Sequence, residues 1–265
     1  MTEQEWTAVA DSTRRVGRRV EFHAEIGSTN DRARAALAEV DGDGLAVVAD
    51  LQTAGRGRRG RGWASPPGAN LMVSVGLRPD LPASRAGLLG IAAALAVRDA
   101  AASLVPGAGL LVKWPNDVVA TDGRKVAGLL LETAVSGERL AEAIIGMGIN
   151  VNWPAAEMPG ELQGRATSLS DLAGAPVDRV ALLRATLAAL DRELAALERD
   201  ESPLQRLAAV SALDGRRVTV DAGDELVDGT VAGISPDGLL LLDTTRGRLA
   251  LSVGEVISVR QEAAA

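Results

Sequence analysis

The run Gly55-Arg56-Gly57-Arg58-Arg59-Gly60-Arg61-Gly62-Trp63 places four arginines and four glycines in nine residues of a chain whose net charge is −7. Glycine lets backbone come close to a ligand, and guanidinium forks match phosphate and carboxylate oxygens. A short cationic loop on an acidic chain is a candidate clamp for a nucleotide phosphate, a small carboxylate or both. Gly55, Gly57 and Gly60 also spell a dinucleotide-binding fingerprint after the strand-like Leu45–Ala49. That fingerprint needs a helix to begin among its glycines, and Ser65-Pro66-Pro67-Gly68 does not continue one. Nucleic-acid binding is another use for such a loop, but Tyr is absent and Phe occurs once, so stacking surfaces are scarce.

A second cluster stands out by composition. The chain has only two lysines, and both fall in one stretch: Lys113-Trp114-Pro115-Asn116-Asp117, then Arg124-Lys125-Val126-Ala127-Gly128. Lys is a compact point charge that can approach a carbonyl or phosphoryl oxygen end-on, and Gly128 leaves room for a ligand beside Lys125. Asp117 could accept a proton from an attacking amine, hold Mg2+, or simply cap a turn. Two further segments carry polar side chains at element ends. Ser28-Thr29-Asn30-Asp31 reads as the N-cap of a helix, and Gly146-Met147-Gly148-Ile149-Asn150 ends an apolar run. The single histidine, His23, reads as a strand residue. With one His and no Cys, a histidine-based triad, a thiolate metal site and a disulfide framework are excluded.

Taken in order, Ser28-Thr29-Asn30, Gln52 through Arg61, Lys113 through Asp117 with Arg124 through Gly128, and Gly148-Ile149-Asn150 resemble the biotin protein ligases, over residues 20–260. The resemblance implies an ATP-dependent, AMP-forming ligase. In it, biotin's carboxylate attacks the α-phosphate of ATP to give biotinyl-5′-AMP, and a lysine of a biotin carboxyl carrier protein then takes the biotinyl group. It implies that Arg58, Lys125 and Asp117 are catalytic. Biotin falls to Ser28, Thr29, Asn30, Gln52, Gly55, Arg56, Arg58, Lys125 and Gly128. ATP falls to Arg56, Arg58, Arg59, Arg61, Trp63, Asn116, Lys125 and Asn150. Mg2+ accompanies the nucleotide, with Asp117 an alternative metal ligand. A homodimer is a further partner the resemblance allows. A lipoate-type acyl-adenylate ligase and a non-catalytic biotin- or adenylate-binding protein are the other readings. Members that repress transcription carry an N-terminal helix-turn-helix domain, for which residues 1–20 are too few, so no DNA partner is expected.

The elements that must position these residues read as α/β alternation over residues 20–155 and a small all-β barrel from about Asp214. The resemblance implies an α+β class, with a mixed or antiparallel sheet in a catalytic domain of the biotin/lipoate ligase type, residues 21–210, and a small SH3-like β-barrel, residues 213–262. Leu71–Leu77 reads as a strand, and Lys125–Ala134 and Ala141–Ile149 as a strand pair turning at Ser136-Gly137. Ser84 is positioned to cap an Ala-rich helix reaching Leu104, and Asp178–Arg199 reads as a second long helix. Four short strands are expected near 216–220, 226–232, 238–243 and 248–253. Met1–Asp11 lacks the basic-then-apolar pattern of a signal peptide, and Arg98 and Asp99 interrupt the longest apolar stretch. A cytoplasmic protein with no membrane partner is the expectation.

Overall fold

A computed structural model of the chain describes residues 2–260, apart from Asp224 and Val253. The last two residues of the expected barrel range, 261 and 262, and Val253 at the end of its fourth expected strand lie outside the described residues.

The first body is a seven-stranded sheet. Its strands are β1 (Val20–His23), β2 (Ala46–Ala49), β3 (Leu71–Leu77), β4 (Leu111–Lys113), β5 (Asp117–Val119), β6 (Lys125–Ser136) and β7 (Arg139–Ile149). They lie in the order β1-β2-β3-β7-β6-β5-β4; β1 and β2 run parallel and every other neighbour is antiparallel. The period-two alternation of strands sorts residues between faces. Leu71, Val73, Val75 and Leu77 on β3, with Ile145, Met147 and Ile149 on β7, enter the main core under α3 (Ala86–Leu104) and α5 (Arg179–Glu198). The opposite face receives α2 (Thr29–Ala36), where Ala33, Ala36 and Leu37 pack on Val47 and Ile144. A Cβ on Gly76 would lie 2.7 Å from the Ala33 carbonyl oxygen, so glycine there lets α2 sit close against β3. That close seat holds the N-terminal end of α2 over the middle of the sheet.

Helix α3 corrects one expectation. Within Ala83–Leu104, which joins the preceding turn to α3, an 18-residue stretch reaches a mean hydropathy of 1.5, so by length and composition it could cross a membrane despite Arg98 and Asp99. In the fold it is a core helix, with Leu88, Leu89, Ile91 and Leu95 buried. Ser84 does not cap it. A 3-10 turn over Ala83–Arg85 leads the chain in, and the N-cap position falls on Arg85. Asp178 does cap α5, accepting from the amides of Val180 and Ala181. The short helices α1 (Glu3–Thr7), α4 (Leu169–Ala173) and α6 (Leu204–Ala209) complete the body.

The second body is a five-stranded antiparallel sheet: β8 (Arg217–Asp221), β9 (Leu226–Ile234), β10 (Leu240–Thr244), β11 (Gly247–Leu251) and β12 (Glu255–Arg260), in the order β11-β10-β9-β8-β12. It accords with the SH3-like expectation and adds the fifth strand, β12. Its small core of Leu213, Val218, Val220, Val231, Leu240 and Leu242 also takes in Trp114 from the first body. The Trp114 indole N–H donates to the Gly238 carbonyl at 3.2 Å.

Candidate active site

The part of the sheet that α2 leaves uncovered forms the floor of a cleft of about 1080 Å³. Gly128 on β6 and Gly148 on β7 are cross-strand partners on that floor. The Trp63 ring lies over both: a Cβ on Gly128 would come within 3.1 Å of its Cζ3, and one on Gly148 would overlap the indole. The two glycines therefore create the space in which an aromatic ring meets backbone.

One end of the cleft is a chain of buried polar contacts. Gln52 Oε1 accepts from the Thr29 amide and hydroxyl at 2.8 and 3.0 Å. The Thr29 hydroxyl meets Ser74 Oγ at 2.6 Å, Ser74 donates to Asn30 Oδ1 at 2.6 Å, and Asn30 Nδ2 donates to Glu132 at 2.6 Å. Ser28, at the N-cap position of α2, lines the same end, although its side chain makes no capping bond. This end presents fixed donors and acceptors side by side, which suits a small polar ring carrying both a carbonyl and N–H groups.

The charged groups lie on the other walls. Lys125 Nζ sits 2.6 Å from Asp117 Oδ1, although the contact is too poorly aligned to satisfy that oxygen's hydrogen bonding. Lys125 Nζ also lies 5.8 Å from the Trp63 ring centroid. Asp117 is placed by the β4–β5 hairpin, whose turn is the Trp114-Pro115-Asn116 stretch. Asn116 accepts from Arg58 at 3.2 Å and donates to the Leu129 carbonyl. Arg58 is half-buried and also donates to the Gly254 carbonyl at 3.2 Å; burial pulls its pKa below the usual guanidinium range. Among the described residues it is the arginine of the loop that makes no ion pair. Burial also depresses the Lys113 ammonium; Lys125 adds to that effect and Asp117 opposes it. Asn150 is buried, and its amide donates to the Thr167 carbonyl at 3.2 Å and, more weakly, to that of Lys125 at 3.4 Å.

The arginine loop folds as a flap. The Trp63 amide donates to the Gly55 carbonyl at 3.0 Å and the Gly57 amide to that of Arg61 at 2.7 Å. The next regular strand or helix is β3, as the prolines require and contrary to a dinucleotide fingerprint. Arg56 pairs with Asp31 at 2.5 Å, Arg59 with Asp221 at 2.5 Å and Arg61 with Glu255 at 2.7 Å. Of the residues picked out from sequence, most line the cleft; Gly55 and Arg59 do not. Gly55 sits at the base of the flap and Arg59 turns toward the second body.

Residues 25–150 match the Biotin/lipoate A/B protein ligase family, and residues 215–258 match the Biotin protein ligase C terminal domain. The Biotin--[acetyl-CoA-carboxylase] ligase of Mycobacterium tuberculosis is 38% identical over 249 residues, covering 92% of this chain and 90% of that one. The chain belongs to the biotin protein ligase family. The Bifunctional ligase/repressor BirA of Bacillus subtilis is 34% identical, over 88% of this chain and 71% of its own length. A solved structure of the biotin protein ligase from Aquifex aeolicus in complex with biotin and ATP superposes with a TM-score of 0.76 at 30% identity, covering 92% of this chain and 99% of that one.

Sequence reasoning passed over Ser74 and Glu132. Ser74 carried a visible signal as the polar residue in the apolar strand Leu71–Leu77; Glu132 did not, since β6 also carries Lys125, Thr133 and Ser136. It also passed over Asp221 and Glu255, and read Asp31 only as part of a helix cap; these are the carboxylates that hold the arginine loop.

Proposed function

We propose that this chain is a biotin–[acetyl-CoA-carboxylase] ligase that joins biotin to AMP at the expense of ATP and passes the biotinyl group to a lysine of a biotin carboxyl carrier protein. The observation that carries this reading is the meeting, in one cleft, of a polar end built for a ureido-type ring with an uncompensated arginine and a Lys–Asp pair. Thr29, Asn30, Gln52 and Ser74 would hold the ring. A lipoyl dithiolane offers no N–H or carbonyl to this polar end, whereas a ureido ring offers both; the network thus favours biotin over the lipoate-type alternative.

In the first step a biotin carboxylate oxygen forms a bond to the α-phosphorus and the bond to pyrophosphate breaks. Two anions must approach, and Arg58 and Lys125 supply fixed positive charge where negative charge accumulates. In the second step the acceptor amine attacks the biotinyl carbonyl and AMP leaves. Asp117 would accept the amine's proton. The Trp63 indole N–H is buried without a partner, as fits a donor that awaits a ligand acceptor. The Asn150 amide donors are engaged by backbone carbonyls, so this residue fixes the start of β6, and thereby Lys125, more directly than it meets a phosphate.

No cluster of three or more His, Cys, Asp or Glu side chains suited to a metal is found among the described residues. Magnesium binds through one or two carboxylates with phosphates and waters; Asp117, with its poorly satisfied oxygen, would be a single protein ligand to an ion carried by the nucleotide as the alternative to its role as base, and in that case Asp117→Asn would lose exchange as well as transfer. The ion would neutralise phosphate charge. Cytoplasmic residence, a homodimer, the absence of DNA binding and the division at residues 21–210 and 213–262 stand as parts of the same proposal.

The test is biotin-dependent exchange of pyrophosphate into ATP, followed by transfer of label to a carrier domain, with Lys125→Ala and Asp117→Asn alongside. Exchange lost in the first variant, and retained without transfer in the second, is the expected pattern. No exchange by the wild-type chain with biotin, but exchange with lipoate, would overturn it.

A further inference from the structure

Asp221 closes β8 and Glu255 opens β12, and the two are direct partners across the antiparallel pair. Like charges placed directly opposite one another repel and destabilise a sheet. Here the repulsion is met from outside the second body. Arg59 reaches Asp221 with both terminal nitrogens, at 2.5 and 3.2 Å, and lies 3.6 Å from Glu255. Arg61 reaches Glu255 at 2.7 Å. Arg59 does this from a left-handed backbone conformation, φ 56°, that a non-glycine residue adopts at a cost. Two carboxylates therefore hold two arginines of a loop that the proposed reaction needs for polyphosphate. Arg58, which precedes them and lines the cleft, makes no ion pair among the described residues.

We propose that Asp221 and Glu255 are positioning residues for nucleotide capture: an internal counter-ion pair that occupies Arg59 and Arg61 until the terminal phosphates of ATP compete for them. This rests on the ligase reading above. Glu255 lines the cleft itself, so a polyphosphate brought to Arg61 meets a carboxylate that must give up its partner. The arrangement makes empty and loaded states exclusive. Without nucleotide the flap is pinned to the second body; with nucleotide Arg61, on the cleft wall, turns to phosphate, and Arg59, which lies outside the cleft, leaves Asp221 to follow it.

The experiment compares wild type with Asp221→Asn/Glu255→Gln in pyrophosphate exchange, varying ATP at saturating biotin and then biotin at saturating ATP. Asp243→Asn, which breaks the Arg248 pair within the second body at 2.7 Å, controls for a general change in charge. Exposed ion pairs are individually weak, so losing two competitors should lower the KM for ATP about three- to tenfold. The KM for biotin should stay unchanged, and Asp243→Asn should match wild type. Trypsin should also cut the flap faster in the double variant, and ATP should protect it. An ATP KM that is unchanged or raised in the double variant, or lowered equally by Asp243→Asn, would overturn the proposal. Failure of the underlying ligase reading would show separately, as no biotin-dependent exchange by the wild-type chain.

Discussion

Gly146→Ala should damage biotin binding out of proportion to the size of a methyl group. An ideal Cβ at Gly146 lies 3.0 Å from Asn30 Cγ, 3.1 Å from Nδ2 and closer still to Oδ1. Asn30 is only 6% exposed and cannot retreat without leaving Ser74 on one side and Glu132 on the other. Losing the neutral hydrogen bond costs about 1 kcal/mol and the charge-assisted one about 1.5–3 kcal/mol, so stability should fall by roughly 2–4 kcal/mol. The displaced amide also forms part of the polar end of the cleft. One ligand hydrogen bond lost, with a buried group left unpaired, is worth about 1–3 kcal/mol, or roughly 5- to 150-fold in biotin affinity. Gly90→Ala is the matched control. Its Cβ would meet only the Leu131 Cδ2 atom at 3.7 Å, and Gly90 lies inside α3. Alanine there should stabilise the chain by about 0.5–1 kcal/mol and leave biotin binding untouched. Urea unfolding gives the stabilities and titration calorimetry the affinities. A Gly146→Ala protein that binds biotin within about twofold of wild type (about 0.4 kcal/mol) would refute the assignment of this end of the cleft to the ring.

Three further outcomes follow from single contacts. Asp50→Ala leaves the nearly buried Arg179 guanidinium, 2.7 Å from Asp50, without its carboxylate; unfolding in urea should show a loss of about 2–4 kcal/mol, discounted for the partial exposure of Asp50. Trp114→Ala should cost about 3–5 kcal/mol as a large buried side chain, and should separate the melting of the second body from the first in calorimetry; one unchanged transition would contradict the seating described here. Lys113 releases its proton at lower pH when folded than when unfolded, because burial disfavours its charged form. Between those two values the unfolded chain binds the extra proton, so stability should rise with pH toward 10.5, the unperturbed value. The rise should be missing in Lys113→Met, as read by urea midpoints between about pH 8 and 10.5.

The fold was legible wherever one face of an element is buried. Leu71–Leu77 and the β6–β7 pair carry apolar residues in strand alternation or unbroken runs, and Asp178 announces α5 by its side chain. What escaped is what lacks such a pattern. Strands β4 and β5 are three residues each, too short for alternation to register. β12 shows apolar residues on both faces, with Val256 buried and Ile257 and Val259 exposed, so it gives no clean period. The site divides in the same way. The arginine loop, Lys125 and Asp117 stand out because glycine, arginine and lysine are concentrated there. The carboxylates that hold the loop do not, because Arg59 and Asp221 are 162 residues apart and Arg61 and Glu255 are 194 apart. An acidic residue in a surface strand says nothing by itself about which distant cation the fold will bring to it.

Both lysine side chains of this chain line the cleft, and the chain has no cysteine or tyrosine. Elsewhere the positive surface is built from guanidinium groups, which acylating reagents leave largely alone at neutral pH. Apart from the chain's own α-amino group, an activated ester offered to this protein therefore finds side-chain amines only at Lys113 and Lys125. The extent of labelling becomes a direct gauge of how much of the cleft is filled, and intact-mass measurement can follow ligand occupancy with no tag, mutation or reporter added to the molecule.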